Sequence, residues 1–181
     1  MNNLNMNEPQ YALLEVWQRG PIKDIPLLLQ PVAHALLQAR EELNKLMIDF
    51  PDNLLWEKPA AVASPAFHLQ HLSGVLDRVF TYARNEKLSS EQLTQLQEED
   101  EIFIENLTVL KLINRFDSQI NKAVMQLKNT DEHSLTEARG VGRKLIPSTV
   151  IGLLVHGAEH TMRHLGQLIV TIRVIKASKK L

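Results

Sequence analysis

An all-α fold, a four-helix bundle of up-down-down-up or similar topology with a short extra helix and an N-terminal strap, is what this 181-residue sequence predicts. Three observations carry it. Four long stretches repeat their apolar residues at spacings of three and four, the period of a helix buried along one face. No segment shows a sustained alternation of period two, the mark of a half-buried strand. The connections are of moderate length, which favours helices packed on their neighbours around one core. The chain reads as one domain over residues 1–181, with residues 1–30 as an N-terminal extension packed on the bundle.

The elements follow in order. Residues around Trp17-Gln-Arg-Gly20-Pro21 and Pro26 suggest a short helix and an extended strap. From Pro31 to Phe50, Val32, Leu36, Leu37, Leu43, Leu46, Met47 and Phe50 mark the first long helix. Pro31 suits a first helical position, and Pro51 suits a stop. The second helix opens at Ser64-Pro65, a capping hydroxyl before a ring already set at helical φ, and runs through Leu69, Leu72, Leu76, Val79, Phe80 and Ala83 to about Asn85. The polar, acidic residues 86–105 contain Ser89-Ser-Glu-Gln92, a capping-box pattern that predicts the short extra helix near 90–100. Leu107, Leu110, Ile113, Phe116, Ile120, Val124 and Leu127 define the third long helix. Residues 128–147, with Gly140-Val-Gly142-Arg143-Lys144, read as a loop. The fourth long helix opens at Ser148 after Pro147 and extends to about Ile175.

Composition narrows the function classes. The 44% hydrophobic content suffices for a substantial core. Basic and acidic residues number 20 and 21 and are mixed along the chain, so no strong field exists to recruit nucleic acid or an anionic membrane. Neither a basic-then-apolar leader nor a stretch of about 20 apolar residues is present, and a cytoplasmic location is expected. Without cysteine, thiolate metal sites and a cysteine nucleophile are excluded, so any ion must be held by nitrogen or oxygen.

The histidines suggest such an ion. His156, His160 and His164 lie at four-residue intervals on the fourth helix. Residues four apart are rotated by only about 40° and separated by about 6 Å along the axis, so two imidazoles can converge on one ion. His156 and His164 are about 12 Å apart on the axis, too far to share one. The pair is therefore His156 with His160 or His160 with His164, and His160 belongs to both. An open site usually takes three protein ligands, so another helix must supply the third. The second helix offers His68 and His71, and periodicity places His68 nearer the centre of its apolar face. Gly74, Gly152, Gly157 and Gly166, four of the seven glycines, lie inside helical patterns at a cost of up to about 1 kcal/mol each, as if the second and fourth helices approach closely beside the histidines.

Two segments, Phe67-His-Leu-Gln-His71-Leu-Ser-Gly and His156-Gly-Ala-Glu-His160-Thr-Met-Arg-His164-Leu-Gly166-Gln167, resemble the metal-binding segments of the DinB-like superfamily of four-helix-bundle proteins. There one histidine followed by an aliphatic residue comes from the second helix, and a His-x-x-x-His pair, often followed closely by Gly-Gln, comes from the fourth. Matched by position, the resemblance implies His71, His160 and His164 as ligands of a zinc, nickel or iron(II) ion, and it spans roughly residues 31–175. It also implies an activity. Members include bacillithiol transferases and the mycothiol-dependent maleylpyruvate isomerase, the bundle domain of ergothioneine-pathway sulfoxide synthases is related, and other members are described as metal-dependent hydrolases. The expectation is a metal-dependent enzyme on a small molecule, with the ion activating a low-molecular-weight thiol, or water in a hydrolase. The rival is a bundle that binds metal or a small molecule without catalysis. A homodimer is a further expectation.

Other residues are candidates for the surroundings. His68 and His156 could line the pocket or touch a ligand, and Gln167, three residues beyond His164, could orient an imidazole. Arg163 and Arg78 are candidate pocket cations, although Glu159 stands four residues before Arg163 in ion-pair register. Arg143 and Lys144 could meet the anionic groups of a thiol carrier. His160-Thr-Met-Arg-His164 lacks the glutamate of a zinc-protease helix, the paired Glu-x-x-His motifs of di-iron bundles are missing, and Gly140-Val-Gly142 follows no predicted strand, which argues against a dinucleotide loop.

Overall fold

The computed structural model describes residues 14–100 and 106–179. Its α-helices are α1 (Gln30–Leu46), α2 (Pro65–Ala83), α3 (Ser90–Glu98), α4 (Val109–Lys128) and α5 (Val150–Lys179). A hairpin of β1 (Ala138–Val141) and β2 (Ile146–Thr149) precedes α5. The helix starts follow their capping chemistry. Ser64 Oγ accepts from the Phe67 amide with Pro65 in the first turn of α2, Ser89 and Gln92 close a reciprocal capping box on α3, and Thr108 Oγ1 accepts from the Lys111 amide at α4.

Side-chain contacts fix the directions of the helices. Arg40 donates to Asn121 and Asn44 to Asp117, so α1 and α4 run antiparallel. Ser73 and Gln119 line one cavity while Gln126 donates to the Phe80 carbonyl further along, so α2 and α4 run parallel. Gly157 packs on Leu76 and Phe80 while His164 meets His68, so α2 and α5 run antiparallel. The result is the expected up-down-down-up bundle. Helices α4 and α5 each pack between α1 and α2, which sit on one diagonal. Leu36, Leu43, Leu69, Leu76, Phe80, Phe116 and Ile120 are fully buried between them, each large side chain contributing about 1.5–3 kcal/mol by leaving water. Among the described residues no helix is long and apolar enough to cross a membrane.

Two boundaries differ from expectation. The first helix stops at Leu46, before Phe50, because Asp49 turns the chain at φ 55; Met47 and Phe50 still reach the core, which is why the apolar spacing ran on. Residues 138–149, expected to be partly loop and partly helix start, pair as the hairpin, with Gly142 at φ 67 and Leu145 at φ 49 in its turn. Its strands are four residues each, none of them fully buried, and one carries Pro147 opposite Gly140, so no alternation marks them. Residues 14–29 pack on the bundle: Val16, Ile25 and Leu29 are buried, and Gln30 Nε2 donates to the Ile22 and Ile25 carbonyls. The rest of the expected extension, residues 1–13, lies outside the described residues.

Gly157 is the glycine that allows close approach of α2 and α5. A Cβ there would stand 3.1 Å from Phe80 Cε2 and 3.4 Å from Leu76 Cδ1. Gly166 meets nothing within 4 Å. Gly157→Val is therefore expected to lower the unfolding free energy by about 1–3 kcal/mol through overpacking, and Gly166→Ala to raise it by up to about 1 kcal/mol through helix propensity. Urea denaturation of the two variants separates the effects, and a stabilised Gly157→Val protein would contradict the packing.

Candidate metal centre

Helices α2 and α5 face each other across three imidazoles. One ring nitrogen each of His71, His160 and His164 lies within 4.8 Å of the other two. The Nε2 atoms of His71 and His160 are 3.0 Å apart, close to the separation of about 3.0–3.4 Å between two nitrogens bound to one ion at about 2.1 Å. The ring centroids of His164 stand 4.4 Å from those of His71 and 4.6 Å from those of His160. His164 Nδ1 lies 3.2 Å from His68 Nδ1, so Nε2 is the ring nitrogen that His68 does not engage. Phe67 stacks on His71 with planes 11° apart.

Charge favours a ligand set. Burial, reinforced by the charge His71 would carry, pushes His68 down to about 4. Burial first, then His71, His160 and His68, takes His164 to about 4, and burial followed by His71 lowers His160 as well. These rings are neutral at pH 7, with the lone pair a metal requires. His160 Nδ1 is buried without a hydrogen-bond partner, while its Nε2 faces His71. Soft thiolates are absent, and three imidazoles suit zinc, nickel or iron(II). The residues fit a divalent ion.

The residue that sequence reasoning missed is Glu99, immediately beyond α3. Its carboxylate is buried, with Oε2 2.6 Å from His71 Nδ1 and Oε1 accepting from Arg78 Nη1 at 2.7 Å. Its backbone carbonyl accepts from Gln70 Nε2 at 3.0 Å. Burial alone would raise the carboxyl, but the hydrogen bonds from His71 and Arg78 outweigh it and hold Glu99 below the usual range. An ionised Glu99 makes Nδ1 the protonated nitrogen of His71 and leaves Nε2 bare toward His160. The sequence offered no signal beyond one more acid in the Glu98-Glu99-Asp100 run.

The other candidates are placed unevenly. His68 is buried against His164 and shares in the cluster. Arg78 does lie on the His71 stripe, yet it is buried against Glu99 and is not a pocket cation. His156 is exposed; with Glu159 and His160 it forms a second grouping within 4.8 Å, on the solvent side. Arg163 pairs with Glu159 through Nε at 3.0 Å, the ordinary i, i+4 ion pair, while its side chain also borders a cleft. Arg143 and Lys144 sit exposed in the turn of the hairpin, away from the residues lining that cleft, because the segment folded as strands at the far end of α2. Gly74 does not serve contact between α2 and α5 either: a Cβ there would collide with Glu99 Oε1 and stand 2.6 Å from Arg78 Nη1.

The cleft beside the histidines has a volume of about 660 Å³ and is walled by Val62, Val170 and Val174, with His68, Arg163 and Gln167 along it and Gly166 leaving room. Each of the three valines is more than 40% exposed, an apolar patch of the kind that receives a ligand. Ala60 and Ala61, at φ 50 and 60, hold the adjoining wall in left-handed backbone.

Residues 35–168 match the DinB superfamily. Among solved structures the chain is similar to a Streptococcus pneumoniae protein determined as a structural-genomics target, with 17% identity, a TM-score of 0.57, and coverage of 81% of this chain and 88% of that one. At that identity the likeness is one of fold. No curated protein matches the sequence.

Proposed function

Because the chain belongs to the DinB superfamily, we propose that it is a metal-dependent enzyme acting on a small molecule, with His71, His160 and His164 holding one zinc, nickel or iron(II) ion. The convergence of three imidazoles on one point between α2 and α5 is the observation that carries this reading. A divalent ion bound there supplies Lewis acidity that lowers the pKa of a coordinated thiol or water.

The protein supplies the rest. His71 presents Nε2 because Glu99 occupies Nδ1, and His164 is steadied by His68. Three protein ligands leave positions for the nucleophile and the substrate. The valine-walled cleft takes the apolar part of the substrate, and Arg163 and Gln167 offer polar contacts at its side. Transfer of a low-molecular-weight thiol is the leading reaction, in keeping with the thiol-dependent members of the family, and hydrolysis would use the same site.

The test is turnover by metal-loaded protein, wild type against a folded His71→Ala variant, in conjugation of cysteine to monochlorobimane and in hydrolysis of p-nitrophenyl acetate. Metal-dependent turnover in one assay, lost in the variant, supports an enzyme. Equal rates in both proteins would remove the catalytic reading and leave a binding bundle.

A further inference from the structure

We propose that Glu99 is a positioning residue that aims His71 at the ion and, through it, joins α3 to metal binding. This deepens the metal reading above and rests on it. The first support is geometry on both sides of the carboxylate. Arg78 neutralises Oε1 while Oε2 takes the His71 Nδ1–H, at 2.7 and 2.6 Å. A buried carboxylate needs a partner for its charge and for each oxygen, and here one partner is a candidate ligand of the ion. Carboxylates in that position fix the ring's orientation and its tautomer and raise the basicity of the nitrogen that faces the metal.

The second support is Gly74. His71, Gly74 and Arg78 lie at i, i+3 and i+7, one stripe of α2, and Glu99 lies over that stripe. The missing Cβ at Gly74 is the room the carboxylate occupies. A helix-interior glycine costs up to about 1 kcal/mol relative to alanine, and contact with α5 does not account for this one.

The third support is how α3 is attached. None of Ser90–Glu98 is buried. The helix is held by polar ties: Gln92 Nε2 donates to Asp77 Oδ2 at 2.7 Å and to Thr81 Oγ1 at 2.9 Å, and Gln95 Oε1 accepts from Arg115 at 2.8 Å. Glu99 is its buried anchor, at 4% exposure. An arm held this way has low local stability, and a contact that an ion strengthens at one end is felt along it.

The experiment is zinc competition with a chelator at pH 7.5 for wild type, Glu99→Gln and Gly74→Ala. It is read together with imidazole ¹⁵N spectra of His71 and hydrogen exchange of residues 90–99. Glu99→Gln removes the charge, whereas Gly74→Ala keeps every charge and displaces the carboxylate. Zinc affinity is expected to fall about 10–100-fold in each variant. The zinc-loaded wild type is expected to show His71 protonated at Nδ1, a signature weakened in both variants, and zinc is expected to slow exchange in residues 90–99 of the wild type alone. Wild-type affinity and an unchanged His71 spectrum in variants with native circular dichroism would overturn the role of Glu99 and leave the metal reading intact. A wild-type protein that binds no zinc would overturn both.

Discussion

Zinc at a free concentration about 1,000-fold above its Kd is expected to raise the unfolding free energy of the wild-type protein by about 4 kcal/mol, and that of His160→Ala by close to nothing. The effect follows from linkage: an ion that binds the folded chain and not the unfolded one stabilises by mass action. His160 is the right residue to remove because it belongs to both groupings on α5, the one with His71 and His164 and the exposed one with His156 and Glu159. Its Nε2 is also 3.0 Å from that of His71, so its loss breaks the bridge between the helices. In metal-free protein the same truncation removes a ring with an unsatisfied buried nitrogen and costs far less than a core deletion. Urea unfolding of both proteins, with zinc and with a chelator, reads the difference. Equal zinc shifts in the two would contradict the site.

In the metal-free protein, stability is expected to fall on acidification between about pH 6.5 and pH 4. His68 has a folded pKa of about 4, below its ordinary value of 6.5, chiefly because it is buried and secondly because His71 is near. A histidine with a depressed folded pKa binds its proton more readily in the unfolded chain. The stabilising contribution is therefore complete above 6.5 and is lost as pH falls toward 4. With allowance for solvent access, His68 alone accounts for roughly 2 kcal/mol. His164 acts in the same direction. Urea midpoints of chelator-treated wild type and His68→Leu, measured from pH 7.5 to 4.5, check this. The variant is expected to show the shallower dependence, and an identical slope would show that His68 is not the titrating group.

What was legible in the sequence was what local periodicity encodes. Helical spacing marked the bundle, Ser64-Pro65 and the Ser89–Gln92 box marked their helix starts, and the four-residue interval of His160 and His164 put two imidazoles on one side of α5. Periodicity also ranked His68 as more buried than His71, and it is; burial and metal approach are simply different properties of neighbouring positions on one helix. What escaped depends on contacts distant in sequence. Glu99 meets His71 across 28 residues, so nothing local separates it from Glu98 or Asp100. Gly74 was visible as an anomaly, but its cause, a carboxylate arriving from another segment, was not. The hairpin was hidden by short, half-buried strands whose pairing goes with the turn at Gly142 and Leu145 and with no apolar alternation.

The central claim is that one ion sits between α2 and α5, and anomalous diffraction at the zinc edge from crystals grown with zinc tests it most directly. The account predicts a single peak at about 2.1 Å from Nε2 of His71 and from one ring nitrogen each of His160 and His164, with Glu99 still on His71 Nδ1. No peak at that point, or a peak on His156, Glu159 and His160 at the surface, would contradict it.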